Sequence, residues 1–442
     1  MKAVSKSAII ILGASGDLAN RKLIPALLTL FRQGRIDNSC MIIGSGRSEF
    51  NDSQFREKFD IPEEFAKILF YHQGIKGLKS FVESKGDFDR AVIFFALPPS
   101  VYGRTAEELF REGFGKESAI IVEKPFGYDY TSARELNLSL NLFFSEDQIF
   151  RIDHYLAKEA VQNILVFRFA NSLFEPVWNS RYIESIQINA FEEIGVGSRG
   201  PYFDKAGILR DMVQNHLSQL LSLMMMEPPV SLNSEDIRVQ KINVLKSIEY
   251  EKGVFYQYSG YRDEHGVAPD SDTETYGEMM LKVNNFRWTG MPVYIRSGKA
   301  LNRRGTEIGI RFKSLPKLLF NQSGTLSRNT IIFKIQPAEG IILDLSSKVP
   351  GGGDIQITDT SMRFCYRDSF AEEIPEAYQR LLLDALRRDR TLFVSAKETE
   401  ISWQKIDKLL PPKITGTYRQ GEVPESKLCE DWINFDSYGS VC

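Results

Sequence analysis

Only four histidines occur in the chain, and two of them lie within dense clusters of polar residues. His154 belongs to residues 151–159, RIDHYLAKE, and His216 ends residues 210–216, RDMVQNH. Imidazole takes up and releases a proton near neutral pH, so it is well suited to acid–base chemistry. The two clusters are therefore the first candidates for a functional site.

The first cluster lies where a predicted strand, residues 148–152, passes into a predicted helix, residues 157–171. This strand end could bind an anionic phosphoryl group, because it carries an imidazole, a phenol and an ammonium group. That edge is also where open α/β sheets bind their ligands. Lys158 follows His154 by about one helical turn, so both can face one site. The members that carry this chemistry are Asp153, His154, Tyr155 and Lys158.

In the second cluster, His216 lies beside an apolar helical stripe and is predicted to face inward. The stripe consists of Leu209, Met212, Val213, Leu217 and Leu220. A histidine in such a place is often a hydrogen-bonded core residue, and this alternative stays open. However, the same turns are unusually polar, because they also carry Arg210, Asp211, Gln214 and Asn215. Oxidation of an alcohol by hydride transfer needs a base for the hydroxyl proton, and His216 could be that base. A carboxylate on the other ring nitrogen would fix its tautomer, but the sequence does not identify which aspartate this is.

A glycine turn follows the first apolar run, residues 8–12. Its sequence is GASGDLA, residues 13–19. A strand, a glycine turn and a helix place backbone N–H groups at a helix N-terminus, where a pyrophosphate is favoured. In this interpretation Gly13 permits the tight turn, and Gly16 permits the close approach of phosphate. The alternative interpretation is an ordinary glycine turn between a strand and a helix, with no ligand.

The second predicted strand, residues 41–44, ends in SGRS, residues 45–48. An acidic residue here would hold a ribose 2′-hydroxyl, whereas a cation accommodates a 2′-phosphate. Arg47 can bind phosphate through its planar guanidinium, and Ser45 and Ser48 could add donors. NADP is therefore favoured over NAD, which stays possible as a weaker alternative. A solvated surface arginine is the competing interpretation.

Short apolar runs alternate with amphipathic segments over the first 150 residues or so, which indicates a doubly wound α/β, Rossmann-like dinucleotide-binding domain, residues 1–155. The later chain, residues 156–442, has alternating segments with short connections and two helical segments, residues 207–226 and 378–388. It is predicted to be an α+β substrate-binding domain with a large, mainly antiparallel sheet. The predicted strands are residues 8–12, 41–44, 91–97, 119–122, 148–152, 186–190, 279–283, 293–295, 308–312, 330–335 and 340–343.

The composition argues against several classes of protein. The chain has 442 residues, 12% aromatic residues and a net charge of −3, which argues against disorder and against a nucleic-acid partner. No apolar run approaches the ~18 residues of a membrane helix, and the first run is too short for a secretory signal. We therefore expect a cytoplasmic protein with no membrane contact. The cysteines show no paired spacing, so neither a metal site nor a disulfide framework is expected.

The chain resembles the glucose-6-phosphate dehydrogenase family. The motifs that carry the resemblance occur in the family's order across nearly the whole chain, and the nine residues 151–159 are especially specific. The motifs are residues 13–19, 21–22 (RK), 96–99 (ALPP), 123–127 (EKPFG), 151–159, 199–200 (RG), 210–216 and 296–302 (RSGKALN).

The resemblance implies oxidation of glucose 6-phosphate at C1 to 6-phosphogluconolactone with NADP, the first oxidative step of the pentose phosphate pathway. It implies that His216 is the general base and Asp153 its carboxylate partner, and that the enzyme is a homodimer or a dimer of dimers, with the large sheet at the interface. The implied substrate-binding residues are Lys124, His154, Tyr155, Lys158, Glu192, Asp211, Lys299 and Arg304. The implied cofactor-binding residues are Gly13, Ala14, Ser15, Gly16, Asp17, Leu18, Lys22, Arg47, Tyr102 and Lys124.

Two departures from the family's pattern are visible. Ala157 stands where the family usually has glycine, and we expect altered substrate affinity rather than lost activity. The chain is also shorter than typical members, which argues against a second, structural NADP site. Two other functions stay open: a dehydrogenase of an unphosphorylated sugar, and a non-catalytic NADP sensor. The cations of residues 151–158 and Lys299 count against the first, and the presence of His216 and Asp153 counts against the second.

Overall fold

The computed structural model describes residues 6–316, 327–351, 355–370 and 374–441. Each strand predicted from the sequence coincides with or overlaps an observed strand. The strands are β1 (Ser7–Leu12), β2 (Met41–Gly46), β3 (Leu69–Gln73), β4 (Arg90–Phe95), β5 (Ser118–Val122), β6 (Ile149–Ile152), β7 (Ile183–Phe191), β8 (Ile248–Tyr258), β9 (Tyr276–Val283), β10 (Pro292–Gly298), β11 (Gly305–Phe312), β12 (Thr330–Gln336), β13 (Gly340–Lys348), β14 (Ile357–Cys365), β15 (Phe393–Val394) and β16 (Ile414–Tyr418).

Two stretches, Ala19–Leu23 and Leu209–Leu217, form π-helices, whose turns are wider than those of an α-helix. The α-helices are α1 (Ile24–Arg32), α2 (Asp52–Arg56), α3 (Glu63–Ala66), α4 (Leu78–Lys85), α5 (Tyr102–Arg111), α6 (Tyr130–Asn141), α7 (Glu159–Phe169), α8 (Gly200–Ile208), α9 (Ser218–Met225), α10 (Ser234–Ser247), α11 (Tyr366–Ser369), α12 (Ala377–Arg387) and α13 (Ala396–Ile406).

The first of two compact units contains Met1–Ala157, Pro229–Val239 and Pro375–Glu400. Its seven-stranded sheet has the order β15-β6-β5-β4-β1-β2-β3. All neighbours are parallel except β15, which pairs antiparallel with β6. Every residue of β1 and β5 is buried, as expected for parallel strands covered on both faces. The predicted doubly wound domain is confirmed, and the strand order reverses beside β1, where such sheets bind dinucleotides.

The second unit contains Lys158–Pro228, Gln240–Ile374 and Ile401–Cys442. Its nine-stranded sheet has the order β14-β13-β12-β11-β7-β10-β9-β8-β16, with only the β7–β10 and β8–β16 pairs parallel. The predicted, mainly antiparallel sheet is confirmed. The division into domains 1–155 and 156–442 stays a prediction. The compact units change over at Ala157–Lys158, and two later segments are grouped with the first unit.

The helix that carries the second polar cluster begins at a sharp break. Gly207 has a φ of +65°, and a Cβ there would lie 2.4 Å from the Glu274 carboxylate oxygens. That carboxylate accepts a hydrogen bond from the Leu209 N–H at 3.1 Å. Burial raises the pKa of Glu274 to about 7, against the opposing effect of this bond. The predicted single helix over residues 207–226 is therefore a π-helix, followed by α9 and fixed at its start by a buried carboxyl group.

The other end of this helix is held by three buried side chains. The last carbonyl groups of α9 and its C-cap lack partners within the helix, so other donors must satisfy them. Arg168 donates to the Leu223 and Met226 carbonyls at 2.9 and 2.8 Å. Trp178 donates to the Met224 carbonyl at 2.9 Å, and Trp288 to the Met225 carbonyl at 2.7 Å. All four carbonyls thus receive a side-chain donor.

The cysteines depart from the prediction that the chain lacks disulfides. Cys365 is disulfide-bonded, whereas Cys40 and Cys429 are buried free thiols, and Cys442 lies outside the described residues. A disulfide joins residues that are close in space, which their spacing along the sequence does not show. Among the residues that the structure describes, no helix has the length and apolar character needed to cross a membrane.

Candidate active site

The glycine turn after β1 is fixed by its neighbours. Gly13 has a φ of +85°, and a Cβ there would lie 2.2 Å from the Ala96 carbonyl oxygen, so the position requires glycine. The N–H groups of Gly13 and Ala14 donate to the Ser45 carbonyl at 2.8 and 3.0 Å. The Asn20 N–H donates to the Gly16 carbonyl, which places Gly16 at the start of the helix. The N–H groups of the first helical turn have no acceptor within the helix, so the turn fits a pyrophosphate.

Arg47, directly after β2, is exposed, which agrees both with a 2′-phosphate ligand and with a solvated surface arginine. The Gln73 side chain donates to the Arg47 carbonyl at 3.1 Å and holds its backbone. Ser45 differs from the prediction, because its buried hydroxyl donates to the Gly74 carbonyl at 2.9 Å. The Ser48 carbonyl accepts a hydrogen bond from the Tyr71 hydroxyl at 2.7 Å. The role of Arg47 as a phosphate ligand stays a prediction.

Lys22 and Tyr102, both predicted cofactor contacts, lie at the same edge of the first unit. Lys22 forms an ion pair with Glu376, the residue that precedes α12. Tyr102 is fully buried, and its hydroxyl donates to the Glu123 carbonyl at 3.2 Å and accepts from the Glu123 N–H at 3.3 Å. Tyr102 therefore fixes the backbone directly after β5, next to Lys124.

Glu123 is a site candidate that the sequence reasoning missed. Its carboxylate accepts a hydrogen bond from the Tyr378 hydroxyl in α12 at 2.8 Å. Burial raises the pKa of Glu123 to about 7, while this hydrogen bond and the charge of Lys124 act in the opposite direction. The available signal was its place in the EKPFG motif, but no pattern linked it to Tyr378, 255 residues later.

Residues 151–155 lie at the carboxyl end of β6, as predicted. The buried Arg151 guanidinium is paired with Glu146 at 2.9 and 3.0 Å and with Asn137 at 3.1 Å, so it supports the strand end. Asp153 is buried, and its side chain accepts from the Tyr155 N–H at 3.0 Å. The rings of His154 and Tyr155 are 5.1 Å apart. The structure therefore brings Asp153, His154 and Tyr155 together.

Lys158 lies just before α7, where it is partly buried. Burial lowers the pKa of Lys158, the Glu339 carboxylate opposes this, and the nearby Arg304 adds to it. Glu339, which the sequence analysis missed, accepts from the Ala160 N–H at 2.7 Å and so caps the start of α7. Two predicted substrate cations, Lys158 and Arg304, thus share one region. Ala157 is buried, and its effect on affinity stays a prediction.

The predicted sugar-binding residues Glu192, Asp211 and Lys299 form a compact cluster. Because β7 and β10 are parallel neighbours, Glu192 directly after β7 and Lys299 directly after β10 meet at one sheet edge. The Lys299 ammonium pairs with Glu192 and lies 3.5 Å from Asp211, whose other oxygen is 3.1 Å from Arg199. Lys299 and Asp211 are both almost fully buried. Charged residues are seldom fully buried, and this buried cluster of charges at a strand end is therefore a candidate functional site.

The backbone of Lys299 is held by residues that the sequence analysis did not single out. Its carbonyl accepts from the Tyr418 hydroxyl at 2.6 Å, and its N–H donates to the Thr275 carbonyl at 3.0 Å. The next residue, Ala300, has a φ of +51°, which a non-glycine residue rarely adopts. The Ala300 N–H donates a hydrogen bond to the Ile194 carbonyl, and the Ala300 carbonyl accepts one from the Gly421 N–H.

His216 lies in the π-helix Leu209–Leu217, five residues after Asp211, and only 1% of its surface is exposed. This confirms that it faces inward. The π-helix contacts β7 and β10, the two strands that end at Glu192 and Lys299. The same helix also buries Asp211 and Gln214. A core helix rarely buries this much polarity, which favours a functional role for His216.

Two family models match nearly the whole chain. The model described as "Glucose-6-phosphate dehydrogenase, NAD binding domain" matches residues 10–163, and the model described as "Glucose-6-phosphate dehydrogenase, C-terminal domain" matches residues 165–427. The chain is 40% identical to the glucose-6-phosphate 1-dehydrogenase of Chlamydia muridarum, covering 91% of this chain and 89% of that protein.

Solved structures give the same result. A glucose-6-phosphate dehydrogenase in complex with its substrate glucose-6-phosphate superposes with a TM-score of 0.88 at 35% identity, covering 97% of both chains. The glucose-6-phosphate 1-dehydrogenase from Mycobacterium avium has a TM-score of 0.83 at 32% identity, covering 94% of this chain and 95% of that one.

Proposed function

Because the chain belongs to the glucose-6-phosphate dehydrogenase family, we propose that it oxidises glucose 6-phosphate at C1 to 6-phosphogluconolactone, with hydride transfer to NADP. One observation carries the proposal within this chain. The buried Lys299 ammonium lies between Glu192 and Asp211, against the helix that carries His216. This cluster supplies donors and acceptors for sugar hydroxyls beside a candidate base.

We propose the following roles for the predicted residues. The phosphate is bound by His154, Tyr155, Lys158 and Arg304. Its negative charge stabilises the charged form of Lys158, which burial disfavours. The sugar is oriented by Lys124, Glu192, Asp211 and Lys299. His216 removes the proton of the C1 hydroxyl, and Asp153 stabilises the imidazolium that forms. NADP, when bound, accepts the hydride from C1. Orienting the two reactants supplies the larger share of the rate, because a fixed geometry can remove roughly 7–11 kcal/mol of the barrier.

The first test is an assay of the reduced-nicotinamide absorbance with a panel of phosphorylated and unphosphorylated sugars. Glucose 6-phosphate should be oxidised far faster than glucose, because a neutral sugar cannot form the charge-assisted hydrogen bonds that we propose between the phosphate and its binding residues. Equal rates with both would favour the dehydrogenase of an unphosphorylated sugar. No reduction with any sugar, in a protein that binds the dinucleotide, would favour the non-catalytic sensor.

For the cofactor, the turn after β1 supports a nicotinamide dinucleotide, and Arg47 supports NADP over NAD. The pyrophosphate would be bound by Gly13, Ala14, Ser15, Gly16, Asp17 and Leu18. Lys22 would lie near the pyridine. Tyr102 would act through the Glu123 backbone, because its hydroxyl is buried there.

Replacing Arg47 by alanine should raise the KM for NADP by roughly 10- to 100-fold, since a bond between a guanidinium and a phosphate is charge-assisted. The KM for NAD should change less than about threefold, because NAD has no 2′-phosphate. The matched control is Arg32→Ala, which removes an exposed arginine of α1. Equal losses with both cofactors would exclude Arg47 as the 2′-phosphate ligand.

We propose, finally, that the protein is cytoplasmic and forms a homodimer or a dimer of dimers. Exposed apolar residues at and beside the edge strand β14, namely Ile355, Met362 and Phe370, support a self-association surface. Sedimentation of the purified chain would measure the oligomeric state.

A further inference from the structure

The helix that carries His216 has a spacing that suits its proposed role. A π-helix closes its turns with hydrogen bonds between residues five positions apart, so such residues lie above one another on one face. Asp211 and His216 are five residues apart within the π-helix Leu209–Leu217. In an α-helix the same two residues would point about 140° apart around the axis. The π-helical turn therefore brings a proposed sugar ligand and the proposed base to one side of the helix.

The start of this π-helix is held by a residue from another part of the chain. The first N–H groups of a helix have no acceptor within it, and the apolar side chain of Ile208, which precedes the helix, cannot cap it. Glu274 supplies two acceptors instead. Its carbonyl accepts from the Ile208 N–H at 3.1 Å, and its carboxylate accepts from the Leu209 N–H at 3.1 Å. One residue thus fixes where the π-helix begins.

The Glu274 carboxylate has little freedom to move. Only 2% of the residue is exposed, and the helix start approaches it so closely that a Cβ at Gly207 would lie 2.4 Å from both carboxylate oxygens. A shorter or apolar side chain at position 274 would leave the buried Leu209 N–H without its acceptor, which is costly. The length of the glutamate side chain therefore sets the position of the helix start.

The backbone that carries Glu274 also holds Lys299 of the sugar-binding cluster. Thr275, the next residue, is fully buried, and its carbonyl accepts from the Lys299 N–H at 3.0 Å. The Tyr418 hydroxyl lies 3.0 Å from the Thr275 Oγ1 and donates to the Lys299 carbonyl at 2.6 Å. Residues 274 and 275 therefore fix two groups at once, the start of the π-helix through a carboxylate and the backbone of Lys299 through a carbonyl.

We propose that Glu274 is a positioning residue for the reaction, which holds the His216 imidazole at a fixed place relative to Lys299. The inference rests on the proposed function, because the place of the imidazole affects the rate only if His216 is the base. The action of Glu274 is indirect and passes through the π-helix. It keeps the imidazole where it can reach the C1 hydroxyl of a sugar that is bound to Lys299.

The test measures kcat for glucose 6-phosphate in Glu274 variants, at a temperature where circular dichroism shows each variant to be folded. Glu274→Ala should lower kcat by roughly 10- to 100-fold, because a misplacement of about 1 Å can cost that much. Glu274→Asp keeps the charge but is one methylene shorter, so it should lose a similar factor. Glu274→Gln keeps the length and an oxygen acceptor, so its kcat should stay within about threefold of the parent. The KM for NADP should change little, because its proposed contacts lie in the first unit.

A second comparison separates positioning from a purely structural role. If Glu274 acts through His216, the two residues are coupled, and the effects of their substitutions on kcat do not multiply. In the His216→Asn background, Glu274→Ala should lower kcat by less than about threefold, because no base is left to misplace. The matched control is Glu430→Ala, which removes an exposed carboxylate of the same unit and should keep the kcat of the parent.

Three results would overturn the proposal. The first is a parental kcat in folded Glu274→Ala, even with a lower melting temperature, because the residue would then be only structural. The second is an equal loss of kcat from Glu274→Ala in both backgrounds. The third is an equal kcat for Glu274→Asp and Glu274→Gln, which decides the question if Glu274→Ala does not fold. A parent protein that binds NADP but does not oxidise glucose 6-phosphate would instead refute the proposed function, and with it this inference.

Discussion

Replacing His216 by asparagine is expected to lower kcat by roughly 10²- to 10⁴-fold, the usual contribution of a general base. The KM for glucose 6-phosphate should change little, because Glu192, Asp211 and Lys299 make the contacts to the sugar that we propose. Asparagine fits within the imidazole volume and stays polar, so the buried site is not left with an apolar replacement. Steady-state kinetics with saturating NADP measure both quantities.

The matched control for this experiment is His265→Asn, because His265 is an exposed histidine of the same unit. Its kcat should equal that of the parent. If His216→Asn keeps a kcat within a few-fold of the parent, the base is another residue. A variant with a lower kcat and a much lower melting temperature would indicate the core-histidine alternative instead.

The largest effect on stability is expected for Arg168→Met. Arg168 is fully buried, its burial lowers the pKa of the guanidinium to about 9, and it donates to two carbonyls at the end of α9. Methionine would fill much of the volume but leave the Leu223 and Met226 carbonyls without these donors. Glu175, 3.6 Å from the guanidinium, would also lose one of its partners. Removing one member of such a buried group typically costs about 3–5 kcal/mol.

Urea unfolding followed by tryptophan fluorescence suits this measurement, because Trp178 and Trp288 cap the same helix end. The control Arg181→Met removes an exposed arginine and should change the free energy of unfolding by less than about 0.5 kcal/mol. A loss below about 1 kcal/mol for Arg168→Met would mean that water or other groups replace its hydrogen bonds.

The sequence predicted most of the fold because its signals are local. Buried parallel strands appear as continuous apolar runs, as in residues 8–12, and the glycine turn that follows has a fixed local geometry. The predicted helix over residues 207–226 was less accurate. Apolar periodicity does not distinguish a π-helix from an α-helix, and the break at Gly207 depends on Glu274, which is remote in the sequence.

In the candidate site, too, local features could be predicted from the sequence and contacts between distant segments could not. Residues 151–155 could be identified because they are contiguous, whereas the contacts of Glu123 with Tyr378 and of Lys158 with Glu339 join distant segments. Tyr418, which supports Lys299 through its hydroxyl, follows no recognisable motif. A single sequence does not show which remote hydroxyl or carboxylate packs beside a functional side chain, because that depends on tertiary packing.

The late strand β15 has a consequence for how the protein is made on the ribosome. β15 adds Phe393 and Val394 to the edge of β6, and the Phe150 and Phe393 rings pack edge to face at 4.8 Å. Until residues near 400 have been synthesised, the nascent first unit lacks this strand and exposes the backbone edge of β6. The dinucleotide-binding unit therefore cannot finish folding during translation before most of the second unit's sequence has emerged.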